Sequence, residues 1–73
     1  MNEKQVKEAI MIILSDKKSR LTSLSYAVGY CREALHMQGH ELQIQCSYIL
    51  ANITHWRHPQ AKDVRVILKA FKG

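Results

Sequence analysis

The sequence predicts an all-α fold, a small bundle of three to four helices within 73 residues. Four segments place apolar residues at spacings of three and four, as on one face of an α-helix. No segment shows the sustained alternation of a half-buried strand. Connections around Gly39 and Pro59 are short, which is typical of helices packed beside one another. We therefore expect one helical domain over residues 1–73.

The first helix is expected over residues 2–14, with Asn2 as its N-cap. Its core-facing residues are expected to be Val6, Ala9, Ile10, Ile13 and Leu14. The polar stretch over residues 15–20 predicts a break, because its Ser and Asp residues are favourable caps for a following helix.

The second helix is expected over residues 20–38 and is expected to stop at Gly39, since glycine adopts positive φ without a Cβ clash. Its apolar residues follow the spacing of a helix that packs along another helix: Leu21, Leu24, Val28, Cys31 and Leu35. The same heptad phase extends back into the first segment and is interrupted only at Lys17. A single bent helix over residues 2–38 is therefore an alternative prediction.

The third helix is expected over residues 41–57 and the fourth over residues 59–72. Pro59 separates them, because it drives the preceding residue out of the helical region and itself suits the first position of a helix. The main apolar face of the third helix comprises Leu42, Cys46, Ile49, Leu50, Ile53 and Trp56. The core stripe of the fourth comprises Val64, Ile67, Leu68 and Phe71.

Composition excludes several classes of protein. One proline, three glycines and 47% hydrophobic residues argue against a disordered or low-complexity segment. The longest apolar run, 9–14, is far shorter than the roughly 18 residues that span a bilayer. The polar N-terminus precedes too short an apolar stretch for a secretory signal, so a cytoplasmic location is expected. Two cysteines within helical patterns favour reduced thiols, with a disulfide between them as the alternative.

Two helices carry apolar residues on a second side. Between Leu42 and Trp56 the third helix has no charged residue, although a surface helix normally carries charge on its outer face. The side opposite its main stripe carries Ile44, Tyr48, Ala51 and His55, and the second helix carries Tyr26, Tyr30 and Met37 away from its stripe. This pattern predicts a homo-oligomer, most simply a two-fold dimer formed by the second and third helices. The alternative is a compact monomer with half-exposed tyrosines.

The C-terminal third is basic, with five basic side chains against one acidic side chain over residues 51–73. Four of the cations recur at spacings of three and four on the fourth helix and are here named the basic stripe: Lys62, Arg65, Lys69 and Lys72. Such a stripe is a solvated helix face, a binding site for nucleic-acid phosphates or a contact for an acidic protein. Sequence-specific reading of bases is less expected, because the fourth helix offers only cations.

Polar and aromatic residues share one flank of the third helix: Gln45, Tyr48, Asn52 and Trp56. Asn52 is a poor residue inside a helix unless its amide is used, so one interpretation is an interhelical hydrogen bond that fixes register. The other interpretation is a partner-binding patch rich in interface residue types. Its members would be Tyr48, Asn52, Trp56 and Arg57.

Catalytic and metal-binding patterns are weak. The acidic residues are dispersed, and no nucleophile and base stand at a recognisable spacing. A dyad of Cys31 and His36 is the remaining catalytic alternative, although a cysteine in a buried stripe is usually inert packing. The four histidines and two cysteines lack the paired short spacings of a structural zinc site. We expect no catalytic, cofactor-binding or metal-ligating residue, no cofactor and no small-molecule substrate.

Residues 41–57 contain Tyr48-Ile49-Leu50, Asn52 and Trp56-Arg57, and the basic segment 61–69 follows them. In these features the C-terminal half resembles small helical proteins of phages and prophages. The resemblance implies a non-enzymatic binding or regulatory protein that occupies a macromolecular partner, with Tyr48, Asn52, Trp56 and Arg57 as the marked positions. The alternative function is a basic nucleic-acid-binding protein that contacts phosphates through its C-terminal helix.

Overall fold

The computed structural model describes residues 2–73, so Met1 of the expected domain lies outside the described residues. Its helices are α1 (Glu3–Ser15), α2 (Ala27–Ala34), α3 (Gly39–Ala51) and α4 (Ala61–Lys72). A single 3₁₀ turn, Ser19–Leu21, precedes α2, and no strand occurs within residues 2–73. The predicted all-α bundle is confirmed.

Helix α1 begins as expected at an asparagine cap. The Gln5 backbone N–H donates to Oδ1 of Asn2 at 2.8 Å, and the Asn2 N–H donates to Oε1 of Gln5 at 3.2 Å. This reciprocal pair satisfies two backbone donors that helix geometry leaves without partners. The buried face contains Val6, Ala9, Ile10 and Ile13, while Leu14 is only half-buried.

The chain breaks after α1, which excludes the single helix over residues 2–38. The Asp16 carboxylate accepts hydrogen bonds from the Ser19 backbone N–H at 3.3 Å and from the Ser19 hydroxyl at 2.8 Å. These bonds stabilise the 3₁₀ turn and offer the backbone an alternative to continuing the helix. Leu21, expected in the core stripe, is 87% exposed.

Helix α2 is much shorter than the predicted range 20–38. Residues 22–26 form turns, in which the Leu24 backbone N–H donates to the Ser19 carbonyl at 2.8 Å. The helix ends at Ala34, because the backbone N–H groups of His36 and Met37 donate to carbonyls three residues back, at 3.0 and 3.1 Å, instead of continuing the α-helical pattern. Gly39 has the positive φ expected of it, +58°, but stands at the start of α3.

Helix α3 ends at Ala51 rather than at residue 57. Asn52 occupies the C-cap, and its side-chain amide donates to the Tyr48 carbonyl at 2.8 Å. Ile53 and Trp56 still enter the core, but from the irregular segment between α3 and α4. Helix α4 starts at Ala61, two residues later than predicted, and buries Val64 and Leu68.

The four helices pack in a ring. Helix α1 contacts α2 and α4, and α3 contacts the same two helices. The largest buried side chains are Trp56, Ile10, Ile13, Leu24, Leu42, Ile49, Ile53 and Leu68, and α2 adds Ala27, Cys31 and Ala34. All four helices and both long connections therefore supply the core. Among residues 2–73, no helix has the length and apolar character needed to cross a membrane.

Candidate functional site

An aromatic pair links the outer sides of α2 and α3. The rings of Tyr30 and Tyr48 stack with centroids 5.5 Å apart and planes 16° apart. Tyr30 remains 37% exposed and Tyr48 50% exposed. Offset stacking of this kind contributes about 0.5–1.5 kcal/mol beyond the area that it buries. The two rings therefore form one continuous aromatic surface across α2 and α3.

A shallow groove of about 330 Å³ adjoins this pair. Its lining residues define what we name the tyrosine groove: Tyr26, Gly29, Tyr30, Glu33 and Asn52. Tyr26 is 79% exposed, and a methyl group placed at Gly29 would meet no atom within 4 Å. The groove is thus open at Gly29, and its walls combine aromatic rings with one carboxylate and one amide.

Gln45 is a buried polar residue that holds Tyr30 and the adjoining tyrosine groove in place. Its side chain is 94% buried, and Nε2 donates to the Tyr30 carbonyl at 2.9 Å and lies 3.5 Å from Oε2 of Glu33. This bond connects α3 to the backbone of α2 beneath the aromatic pair. The interhelical hydrogen bond expected of Asn52 is therefore made by Gln45, whereas the Asn52 amide stays within its own helix terminus.

The four positions marked as partner-binding do not form one surface. Tyr48 is exposed, Asn52 is half-buried in the groove wall and Arg57 is exposed. Trp56 is 99% buried, and its indole N–H donates to Oδ2 of Asp16 at 2.8 Å. Its ring also stacks on His58 with centroids 5.3 Å apart. Trp56 therefore packs in the core and has no face free for a partner.

The basic stripe is divided in the same way. Lys62, Lys69 and Lys72 are exposed along α4. Arg65 is half-buried, and its Nη2 donates to the Ile53 carbonyl at 2.7 Å and to the Trp56 carbonyl at 2.8 Å. Arg65 thus supplies hydrogen-bond donors to two backbone carbonyls of the irregular segment between α3 and α4. Only the three lysines of the basic stripe remain exposed for binding a ligand.

The two cysteines are free thiols in the core. Burial raises the pKa of Cys31 to about 12, with a further contribution from neighbouring Cys46, and burial raises the pKa of Cys46 to about 11. A thiol with such a pKa is protonated at neutral pH and is a poor nucleophile. Within residues 2–73, no three His, Cys, Asp or Glu side chains group so as to hold a metal ion.

Sequence reasoning missed two members of this site. Gly29 and Glu33 line the groove, and neither belongs to an apolar stripe or to a recognised motif. The sequence feature that could have identified them is their spacing from Tyr26, since residues three, four and seven positions apart share one helix face.

No family model, no curated protein and no solved structure matches this chain. The resemblance to phage and prophage proteins stays a prediction.

Proposed function

We propose that this protein is a non-enzymatic binding protein that occupies a macromolecular partner through the tyrosine groove and the adjoining Tyr30–Tyr48 pair. The observation that carries the proposal is that these stacked rings stay partly exposed beside an open groove. Tyrosine is enriched at protein interfaces, because it offers a large contact area and loses little conformational entropy on binding. The resemblance to phage proteins supports a regulatory role of this kind.

The first partner that we propose for this surface is a second copy of the chain. Ile44 lies one turn before Tyr48 on α3 and is 45% exposed, so the apolar surface continues along the helix. A two-fold axis would bring this surface of each chain against the same surface of the other. The predicted dimer through the second and third helices would then be formed by α2 and α3.

The state of the cysteines indicates the cellular compartment in which the protein folds. Two free, buried thiols are typical of a protein that folds in a reducing compartment. We therefore propose the cytoplasm of the producing or infected cell.

Light scattering tests the self-association. We expect the wild-type chain to show twice its 8.4 kDa mass at about 0.1 mM, a concentration at which a micromolar dimer is almost fully formed. The variant Tyr48→Ala should return the mass to that of one chain, since it removes the more exposed ring of the aromatic pair. Val66→Ala is the matched control, because Val66 is similarly exposed but lies on α4.

A wild-type monomer at this concentration would contradict the dimer. Equal loss of mass in the Tyr48→Ala and Val66→Ala variants would show that the interface lies elsewhere. Circular dichroism of each variant separates a lost interface from a lost fold.

The exposed lysines favour a second candidate function, binding of nucleic-acid phosphates through α4. Lys62, Lys69 and Lys72 lie on one exposed face of α4, although Arg65 is hydrogen-bonded to the backbone carbonyl of Ile53. This function predicts oligonucleotide binding that weakens steeply with salt, and a loss of affinity in Lys69→Glu.

A further inference from the structure

We propose that the chain has a second binding site, a groove that binds the phosphate groups of a nucleic-acid backbone without reading its bases. The groove lies where the connection after α1 meets α2 and has a volume of about 460 Å³. Its lining residues define the basic groove: Lys17, Arg20, Leu21, Ser25, Val28 and Arg32. This site is separate from the tyrosine groove and from the lysines of α4, so it does not rest on the function proposed above.

The fold brings Arg32 beside two cations that stand 12 and 15 residues earlier in the sequence, Arg20 and Lys17. Lys17 follows α1, Arg20 lies in the 3₁₀ turn, and Arg32 lies in the last turn of α2. The connection bends back because the Ser19 carbonyl accepts backbone N–H groups from Thr22 at 3.0 Å and from Leu24 at 2.8 Å. Counting charge along the chain does not reveal the site, since Arg32 stands beside Glu33 in the sequence.

No carboxylate lines the basic groove among residues 2–73. Glu33 lines the tyrosine groove, which lies on another side of α2. Asp16 is next to Lys17 in sequence, but its Oδ2 accepts hydrogen bonds from both the Ser19 hydroxyl and the Trp56 indole. The positive charge at the groove is therefore not balanced by an acidic side chain in its walls.

The side chains around the groove suit a phosphate ligand. Arg20 and Arg32 each carry a planar fork of N–H donors that matches phosphate oxygens, and Lys17 adds a point charge. Ser25 supplies a hydroxyl donor at the rim. Three cations around one open depression attract an anion more strongly than a single surface lysine does, because their potentials add.

The shape of the site favours a polyanion over a small phosphate compound. The cavity is an open groove, and Lys17 and Arg32 are exposed, so nothing encloses a small ligand. A phosphodiester chain presents a negative charge at every repeat and binds such surfaces by releasing counterions. A membrane surface fits less well, because the exposed Leu21 belongs to a three-residue turn rather than to an amphipathic helix.

The test measures binding of a fluorescent, mixed-sequence single strand of about 15 nucleotides, a length within the range covered by one small domain. Anisotropy is recorded for the full chain at about 0.05 M and about 0.2 M salt. We expect binding at low salt and a logarithmic salt slope of about −2, as for three phosphate contacts on a single strand. A duplex of the same sequence in a parallel titration tells which form of the backbone is preferred.

Two charge-matched variants locate the contact. Lys17→Glu combined with Arg32→Glu reverses two exposed cations of the basic groove, and Lys62→Glu combined with Lys69→Glu reverses two exposed cations of α4. Both pairs change the net charge equally, so any general effect of charge is shared. We expect the groove variant to lose affinity by at least about tenfold and the α4 variant to lose at least about fivefold less than the groove variant, because the α4 variant then shows only the general effect of charge.

Several outcomes would overturn the proposal. They are absence of wild-type binding at low salt, equal losses in the two variants, and a loss confined to the α4 variant. The last result would instead support the second candidate function. Binding to vesicles of anionic lipid but not to either oligonucleotide would assign the groove to a membrane surface. Circular dichroism confirms that each variant is folded, and Lys17→Gln combined with Arg32→Gln replaces the groove variant if charge reversal unfolds it.

Discussion

At the scale of single residues, Asp16 connects more of the structure than any other carboxylate in residues 2–73. It ends the first helical segment, holds the 3₁₀ turn through Ser19 and accepts the indole N–H of Trp56, which lies 40 residues later in the chain. The hydrogen bond from Trp56, followed by those from Ser19, lowers the pKa of Asp16 below its ordinary value of 3.8. The ionised form is therefore the one that the folded chain favours.

This lowered pKa predicts a loss of stability in acid. The folded pKa lies below the unfolded one, so Asp16 stabilises the fold above pH 3.8 and stops doing so as the pH falls through the folded pKa. We expect the Asp16→Asn variant, which keeps an acceptor for the indole N–H, to show a smaller fall in stability from about pH 6 to about pH 3 than the wild type. Urea unfolding at the two pH values measures the difference.

The Glu8→Gln variant provides the control for this measurement. Glu8 is exposed on α1, and its substitution removes one carboxylate without removing the bonds to Ser19 and Trp56. An equal effect of the two variants on the pH dependence would mean that overall charge, and not the Asp16 site, sets the acid response.

At the scale of helices, two glycines have opposite expected effects when replaced by alanine. Gly29 lies inside α2 at ordinary helical φ with free space around it, so Gly29→Ala should stabilise the chain by about 0.5–1 kcal/mol. Gly39 begins α3 at φ +58°, where an alanine is strained by about 1–2 kcal/mol, so Gly39→Ala should destabilise it. Chemical denaturation of both variants beside the wild type gives the two free-energy changes.

Each glycine variant is the control for the other, because the added methyl group is the same and only the backbone conformation differs. Destabilisation by Gly29→Ala would contradict the position of Gly29 in a regular helix beside an open groove. Stabilisation by Gly39→Ala would contradict the left-handed start of α3.

The helices that sequence periodicity predicted well are those governed by local interactions. Helix α1 starts at the asparagine cap that its own sequence provides, and α4 follows a clean apolar stripe. The largest errors lie at the N-terminal end of α2 and the C-terminal end of α3. There the chain is held by contacts that no periodic pattern contains, namely Asp16 with Trp56 and Arg65 with the carbonyls of Ile53 and Trp56.

The candidate site was predictable only in part, for the same reason. The helical projection of α3 placed Ile44 and Tyr48 opposite its main apolar face, and both side chains are exposed. A helical projection through residue 57 placed Trp56 beside Tyr48, but the helix ends at Ala51 and the indole turns inward. Arg65 looked like one more surface cation, because its carbonyl partners come from an irregular segment whose shape the sequence does not specify.

At the scale of the whole molecule, the ring of four helices encloses only a small hydrophobic core. A chain of this length buries only about 60% of the surface that its unfolded form exposes, so its stability is expected to be modest. Self-association through α2 and α3 would add buried area where the ring has its exposed aromatic rings. The two core thiols lie one on each of these helices. Their reactivity therefore measures how readily the packed helices unfold.

We expect neither thiol to react with a disulfide reagent such as Ellman's reagent while the chain is folded. A pKa of about 12 leaves about one Cys31 thiol in 10,000 ionised at pH 8, and Cys31 and Cys46 are both fully buried. Both should react together when urea unfolds the chain, with a rate that follows global unfolding. The destabilised Gly39→Ala variant should react faster than the wild type, and Gly29→Ala more slowly. Rapid reaction of one thiol without urea would instead show that α2 or α3 opens locally, and repeating the assay with Cys31→Ala and Cys46→Ala would identify which.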